Sequence, residues 1–186
     1  MLRLLAGIIC LLVTGCAPSI QVRSSFDPQA DFSEAASYSW LNDVDQPGEN
    51  VRVNNELTRK TVRQAVEQAL EEKGFTRVER QQADLLVAWF GAIKTKVKSE
   101  GIEHFYSPYG YGPLFKDPYW NTQPAAFNVS EYDEGTLIID ILDPVKRRLL
   151  WRGIGVGEVV ENQPEETARK NLTSAVKQIL EKFPPP

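Results

Sequence analysis

Few residues of this chain could carry out covalent chemistry, and Cys16 is foremost among them. The chain holds two cysteines, Cys10 and Cys16, and one histidine, His104. A thiol is a nucleophile only where it is exposed and can ionise. Cys16 follows three small or branched residues, Val13, Thr14 and Gly15, which a peptidase can grip along the backbone. A Ser-His-Asp arrangement would have to use His104, and the chain has no Gly-x-Ser-x-Gly elbow. His104 sits beside Phe105 and Tyr106 and reads as a loop residue. No spacing of His, Cys and carboxylates matches a metal site, and no cofactor is implied. A glycosidase needs only two carboxylates, and among the 25 acidic residues no pair stands apart. No catalytic signature emerges, and the catalytic and metal-ligand sets are empty on this reading.

The order of residues ahead of Cys16 gives its thiol a role. Met1-Leu2-Arg3 is a short positive start, and Leu4 to Val13 is an apolar run. That run is too short to cross hydrocarbon, which takes about 20 helical residues. Val13-Thr14-Gly15-Cys16 resembles the lipobox of bacterial lipoproteins at all four positions. The resemblance implies cleavage before Cys16, lipid on its sulfur and several acyl chains, palmitate among them, as the membrane anchor. Each buried methylene contributes about 0.8 kcal/mol, so several chains hold firmly. Ala17, rather than Asp, follows the cysteine, which resembles an outer-membrane address with the domain facing the periplasm. Cys10 leaves with the signal and Cys16 is acylated, so the mature domain has no free thiol and no disulfide.

Composition sets the remaining bounds. The chain has 186 residues, 42% hydrophobic and 25% charged, enough apolar content for one packed domain. The formal charge of -4 gives no electrostatic case for a nucleic-acid partner, which requires clustered Lys and Arg. The expected division is a signal peptide over 1–15, a lipidated tether and the start of the first strand over 16–29, and a single α+β domain over 30–186.

Along the mature chain, hydrophobic period decides the elements. Ser19 to Ser24 alternates apolar and polar as a strand does, and Tyr38-Ser39-Trp40-Leu41 is a second short strand. Residues 42–53, with Pro47 and Gly48, form a loop. A helix capped by Asn54 or Asn55 runs to Lys73, with Leu57, Val62, Ala65, Val66, Ala69 and Leu70 inward and Gly74 as its left-handed stop. Its charged residues, Arg59, Arg63, Glu67 and Glu71, read as a solvated face. Residues 84–99 are a strand buried on both sides at first, ending in the row Lys94, Lys96, Lys98. Residues 127–142 form a strand with a bulge at Gly135. Antiparallel pairing of the two would bring Glu131 and Asp133 near the lysines, worth about 0.2–1 kcal/mol for each pair. Asp143 to Arg147 is a turn, and 148–159 is a third strand bared by Gly153, Gly155 and Gly157, against which other parts of the domain pack. Asp140, in the middle of an apolar strand, needs a cation, and Arg148 or Arg152 can supply it. A second helix opens at Pro164 and carries Ala168, Leu172, Ala175, Val176, Ile179 and Leu180 inward, with Phe183 closing the stripe. The fold class is α+β: a mainly antiparallel sheet with two helices packed on one face, a long aromatic loop between central strands, and a partly wet second face.

Six segments together carry a family resemblance: Tyr38-Ser39-Trp40-Leu41, Lys73-Gly74-Phe75, Ala83-Asp84-Leu85-Leu86-Val87, Gly135-Thr136-Leu137-Ile138-Ile139-Asp140, Leu150-Trp151-Arg152-Gly153 and Ile179 to Pro185. As a set they resemble a family of bacterial envelope lipoproteins known only as domain of unknown function 4136. The resemblance spans nearly all of the mature chain except about 98–128. It implies an envelope domain behind a lipobox and supplies no activity, cofactor or catalytic residue.

Residues 101–127 are the leading candidate for a contact surface. Tyr106, Tyr109, Tyr111, Tyr119 and Trp120 lie there among prolines and glycines. Tyrosine and tryptophan offer large contact area with a polar tip, which suits a protein or glycan partner. The other reading is a loop folded back to cover its own sheet. The functional expectation is therefore a lipid-anchored, periplasm-facing binding or scaffold module. Its rivals are a structural subunit of an envelope assembly, joined through a sheet edge or the glycine-rich strand, and a hydrolase acting on cell wall.

Overall fold

The computed structural model describes residues 20–41, 56–92, 97–98, 106–111, 131–132, 135–157 and 163–186. Its frame is a six-stranded mixed sheet. The strands in chain order are β1 (Gln21–Phe26), β2 (Ser37–Trp40), β3 (Thr76–Arg77), β4 (Leu85–Ala92), β5 (Val97–Lys98), β6 (Glu131–Tyr132), β7 (Thr136–Leu142) and β8 (Leu149–Val156). Across the sheet the order is β1, β8, β7, β4, β2, β3, while β5 and β6 pair separately. The central pairs β1–β8, β7–β8 and β4–β7 are antiparallel. The flanking pairs β2–β4 and β2–β3 are parallel. Two helices, α1 (Glu56–Glu72) and α2 (Glu165–Leu180), pack on each other and on one face of the sheet.

The helical face follows from strand alternation. Tyr38 and Trp40 of β2, Leu85, Val87 and Trp89 of β4, Leu137, Ile139 and Ile141 of β7 and Trp151 of β8 point the same way. They meet Val62, Ala65, Val66, Ala69 and Leu70 from α1 and Val176, Ile179 and Leu180 from α2. Of the expected α2 stripe, Ala168, Leu172 and Ala175 are only partly buried, whereas Val176, Ile179 and Leu180 are buried. Phe183 lies at 0% exposure between Phe32, Phe75 and Trp151, with ring centroids 5.3–5.7 Å apart.

Local signals stop and align these elements. Gly74 takes φ +89°, which a side chain resists. Its amide donates to Glu71 O and that of Phe75 to Leu70 O, which closes α1 and turns Phe75 into the core. Asp84 aligns β2 with β4, accepting from Ala36 N, Ser37 N and the Ser37 hydroxyl at 3.1, 2.9 and 2.6 Å. The Ser37 hydroxyl bond foremost, then the Ala36 amide, holds the Asp84 carboxyl below the usual range. In the β7–β8 turn, Asp143 Oδ1 accepts from Val145 N and Lys146 N, each at 2.8 Å.

Two expectations are adjusted, and a third is met where it is described. The first strand is an integral edge of the sheet, so the folded domain begins ahead of residue 30. The strands expected over 84–99 and 127–142 pair antiparallel as anticipated where they are described, β4 with β7 and β5 with β6, and Gly135 at φ +75° precedes β7. Lys98 stands opposite Glu131 in register, whereas Lys94, Lys96 and Asp133 lie outside the described residues. The second face of the sheet is covered rather than wet, by residues 106–111.

The bare strand β8 is filled from within. A Cβ on Gly153 would collide with the Trp151 ring and with Ile179 of α2. One on Gly155 would stand 2.8 Å from Ile179 Cδ1, and one on Gly157 would stand 2.8 Å from Ile20. Gly153→Ala is therefore expected to lower unfolding free energy by about 1–3 kcal/mol, as overpacked cores do. Urea denaturation of the variant tests this, and an unchanged midpoint would mean the helix is not seated on the glycines.

Candidate functional site

Two places in the described chain gather polar side chains. The first is the centre of the second sheet face. Asp140 of β7 lies directly across from Arg152 of β8. Arg152 Nε donates to Asp140 Oδ1 at 2.7 Å, and Nη2 donates to Oδ2 at 2.6 Å. The Tyr106 hydroxyl donates to the same Oδ2. All three residues are at most 1% exposed. Such a bidentate pair offsets much of the cost of burying two charges only when its remaining lone pairs are bonded, and here the tyrosine supplies that bond.

The rest of the segment makes a lid for this pair. The Tyr106 ring meets Phe90 edge-on at 5.4 Å and lies 6.1 Å from Tyr111. The Tyr111 hydroxyl donates to Asp143 O at 2.9 Å. The Arg80 guanidinium sits 5.6 Å over Tyr109 while bonding Leu41 O. Gly110 has φ +81°, and a Cβ there would strike Arg147, so the lid's tip fits the β7–β8 turn only as glycine.

This geometry corrects part of the expected contact surface. Tyr106 and Tyr111 are buried, at 0% and 1% exposure, and cover their own sheet. The remaining lone pair on Asp140 Oδ2, which Arg152 also bonds, and the apolar row Phe90, Ile138, Leu142 and Ile154 draw them inward. Tyr109 is half-buried. Tyr119, Trp120, His104 and Cys16 lie outside the described residues. Of the two cations considered for Asp140, Arg152 takes the role. Arg148 instead bonds Asp27 Oδ2 at 2.7 Å. Beside the glycine-rich strand, Ile179 packs at Gly153 and Gly155, and Ile20 packs at Gly157, which is the internal packing expected there.

The second place is a shallow cleft of about 270 Å³ where the end of α1 meets β3. Tyr38, Glu67, Glu71, Phe75, Thr76 and Arg77 line it. Glu67 was expected in the solvated face of α1 but is engaged. Its Oε1 accepts from Trp40 Nε1 at 2.9 Å and from Arg77 Nη1 at 3.0 Å. Arg63 lies 4.4 Å over the Trp40 ring. Burial, followed by the Glu67 charge, pushes the Tyr38 hydroxyl up to about 12. Burial likewise pushes Tyr111 up to about 12. Among the described residues, no group of three His, Cys, Asp or Glu side chains could hold a metal ion. No sequence signal marked this cleft, because its residues come from β2, α1 and β3 and meet only through parallel pairing.

Comparison with known proteins follows the fold. The profile described as Domain of unknown function (DUF4136) matches residues 22–185. A crystal structure of a DUF4136 family protein from Bacteroides thetaiotaomicron is similar at TM-score 0.53 and 16% identity, covering 89% of this chain and 96% of that one. A PDZ domain protein from Parabacteroides distasonis is similar at TM-score 0.50 and 15% identity, covering 91% of this chain but 38% of its own. The PelC dodecamer from Paraburkholderia phytofirmans is a looser likeness, at TM-score 0.44 and 9% identity, covering 87% and 95%. No curated protein matches the chain.

Two outcomes are expected from the buried groups. Asp140→Ala strands Arg152 without its counter-ion and should cost about 3–5 kcal/mol, whereas replacing both by Leu and Met should recover most of that. Equal losses in single and double variants, by urea titration, would contradict the pairing. The tyrosines ionise more readily when unfolded, at pH 10, than when folded, at about 12. Their contribution is therefore complete below pH 10 and fades as pH rises toward 12. The Tyr38→Phe/Tyr111→Phe variant should show a flatter fall of Tm across that range, and an identical slope would refute the assignment.

Proposed function

The chain belongs to the DUF4136 family, and from that premise we propose that it is a lipid-anchored envelope protein whose single domain is a binding or scaffold module held close to a membrane surface. The observation that carries this reading is the distance from the lipobox cysteine to the fold. Ile20 packs at Gly157, and β1 starts at Gln21. Four peptide steps separate Cys16 from Ile20, which span at most about 14 Å of extended chain. A lipid on Cys16 therefore keeps one end of the sheet, where Gln21, Thr136 and Val156 lie side by side, against the bilayer.

The opposite end then faces away from the membrane. It carries the β7–β8 turn, the last turns of both helices and the cleft beside β3. Tyr38 pairs there with Leu85, the first residue of β4, at the far end from Ala92. A stiff sheet with a short leash presents this end at a fixed height, which suits a module that meets a partner in the periplasm. No helix among the described residues is long and apolar enough to cross a membrane, so on this reading the lipid is the hold. The cell envelope, with the outer membrane as the address implied by Ala17, is the proposed location.

A subunit of a larger assembly is the second reading. Among the described residues, strand β1 pairs with β8 alone and forms the sheet's edge, with Gln21, Arg23 and Ser24 exposed. An edge of six residues can accept a further strand.

In a bacterial host, the wild-type chain is expected in the membrane fraction with acyl mass on Cys16, and Cys16→Ala in the soluble fraction with its fold intact. Mass spectrometry of the N-terminal peptide and fractionation after a salt wash check this. A Cys16→Ala protein that still sediments with membranes would remove the lipid as the principal hold.

A further inference from the structure

We draw no further inference here: the strongest candidate, the surface patch at the tip of the β7–β8 turn where Val145 stands 84% exposed beside the basic residues Lys146 and Arg147, carries none because nothing in the structure shows what covers it.

Discussion

The Asp140–Arg152 pair imposes conditions on everything around it. Two charges in the middle of a sheet, both essentially without solvent, are tolerable only if every oxygen and N–H finds a partner. Cross-strand register meets the first condition, since β7 and β8 place the two residues opposite each other. A slip of one residue in β8 against β7 would turn Arg152 to the helical face, away from Asp140 and Tyr106. The pair thus fixes the hairpin's alignment. It also requires a third group from outside the hairpin, and Tyr106, 34 positions away in sequence, supplies it. Once Tyr106 is bound, Tyr111 and Gly110 follow it onto the turn, and the second face closes.

The two faces are built differently. The helical face is a continuous apolar core with large aromatic residues, and its fit depends on small residues where bulk would collide. Gly153 and Gly155 make the groove that seats Ile179, and α2 approaches β8 closely for that reason. The second face has a polar centre inside an apolar rim of Leu86, Phe90, Ile138, Leu142 and Ile154. Dispersion and burial hold the first face broadly. Directional bonds hold the second at particular points, so it defines a conformation more than it adds stability.

The molecule also has a direction. The N-terminal strand enters at one end of the sheet, while the turn, the helix C-termini and the cleft gather at the other. Under the proposed anchor, that polarity becomes a distinction between membrane side and outer side. Stiffness matters to this arrangement, since a leash of a few residues transmits orientation only if the strand it joins is fixed. Six paired residues in β1, and Ile20 packed on Gly157, fix it.

Much of this was legible in the sequence, for reasons tied to local physics. Period-two and period-3.6 patterns located β4, β7, β8, α1 and α2, because each element must bury a stripe. Gly74 announced the end of α1 through its backbone freedom, and Asp143 the turn through its side-chain acceptor. Asp140 announced that it needed a cation, since no isolated acid survives in an apolar strand. The segments that carried the family resemblance contain both partners of that pair. What the sequence could not say was which arginine would answer, because Arg148 and Arg152 differ only in register. Nor could it say which way Tyr106 and Tyr111 point, because an aromatic residue in a loop serves a partner or a core equally well. The cleft of Tyr38, Glu67 and Glu71 was hidden for the same reason: its residues are ordinary locally and line a cleft only when β2, α1 and β3 converge. The sequence by itself determined the elements and the fold class, and motivated the lipid anchor, since these depend on neighbours along the chain. Tertiary structure alone decided the partners of the buried charges and the closure of the second face, since those depend on neighbours in space.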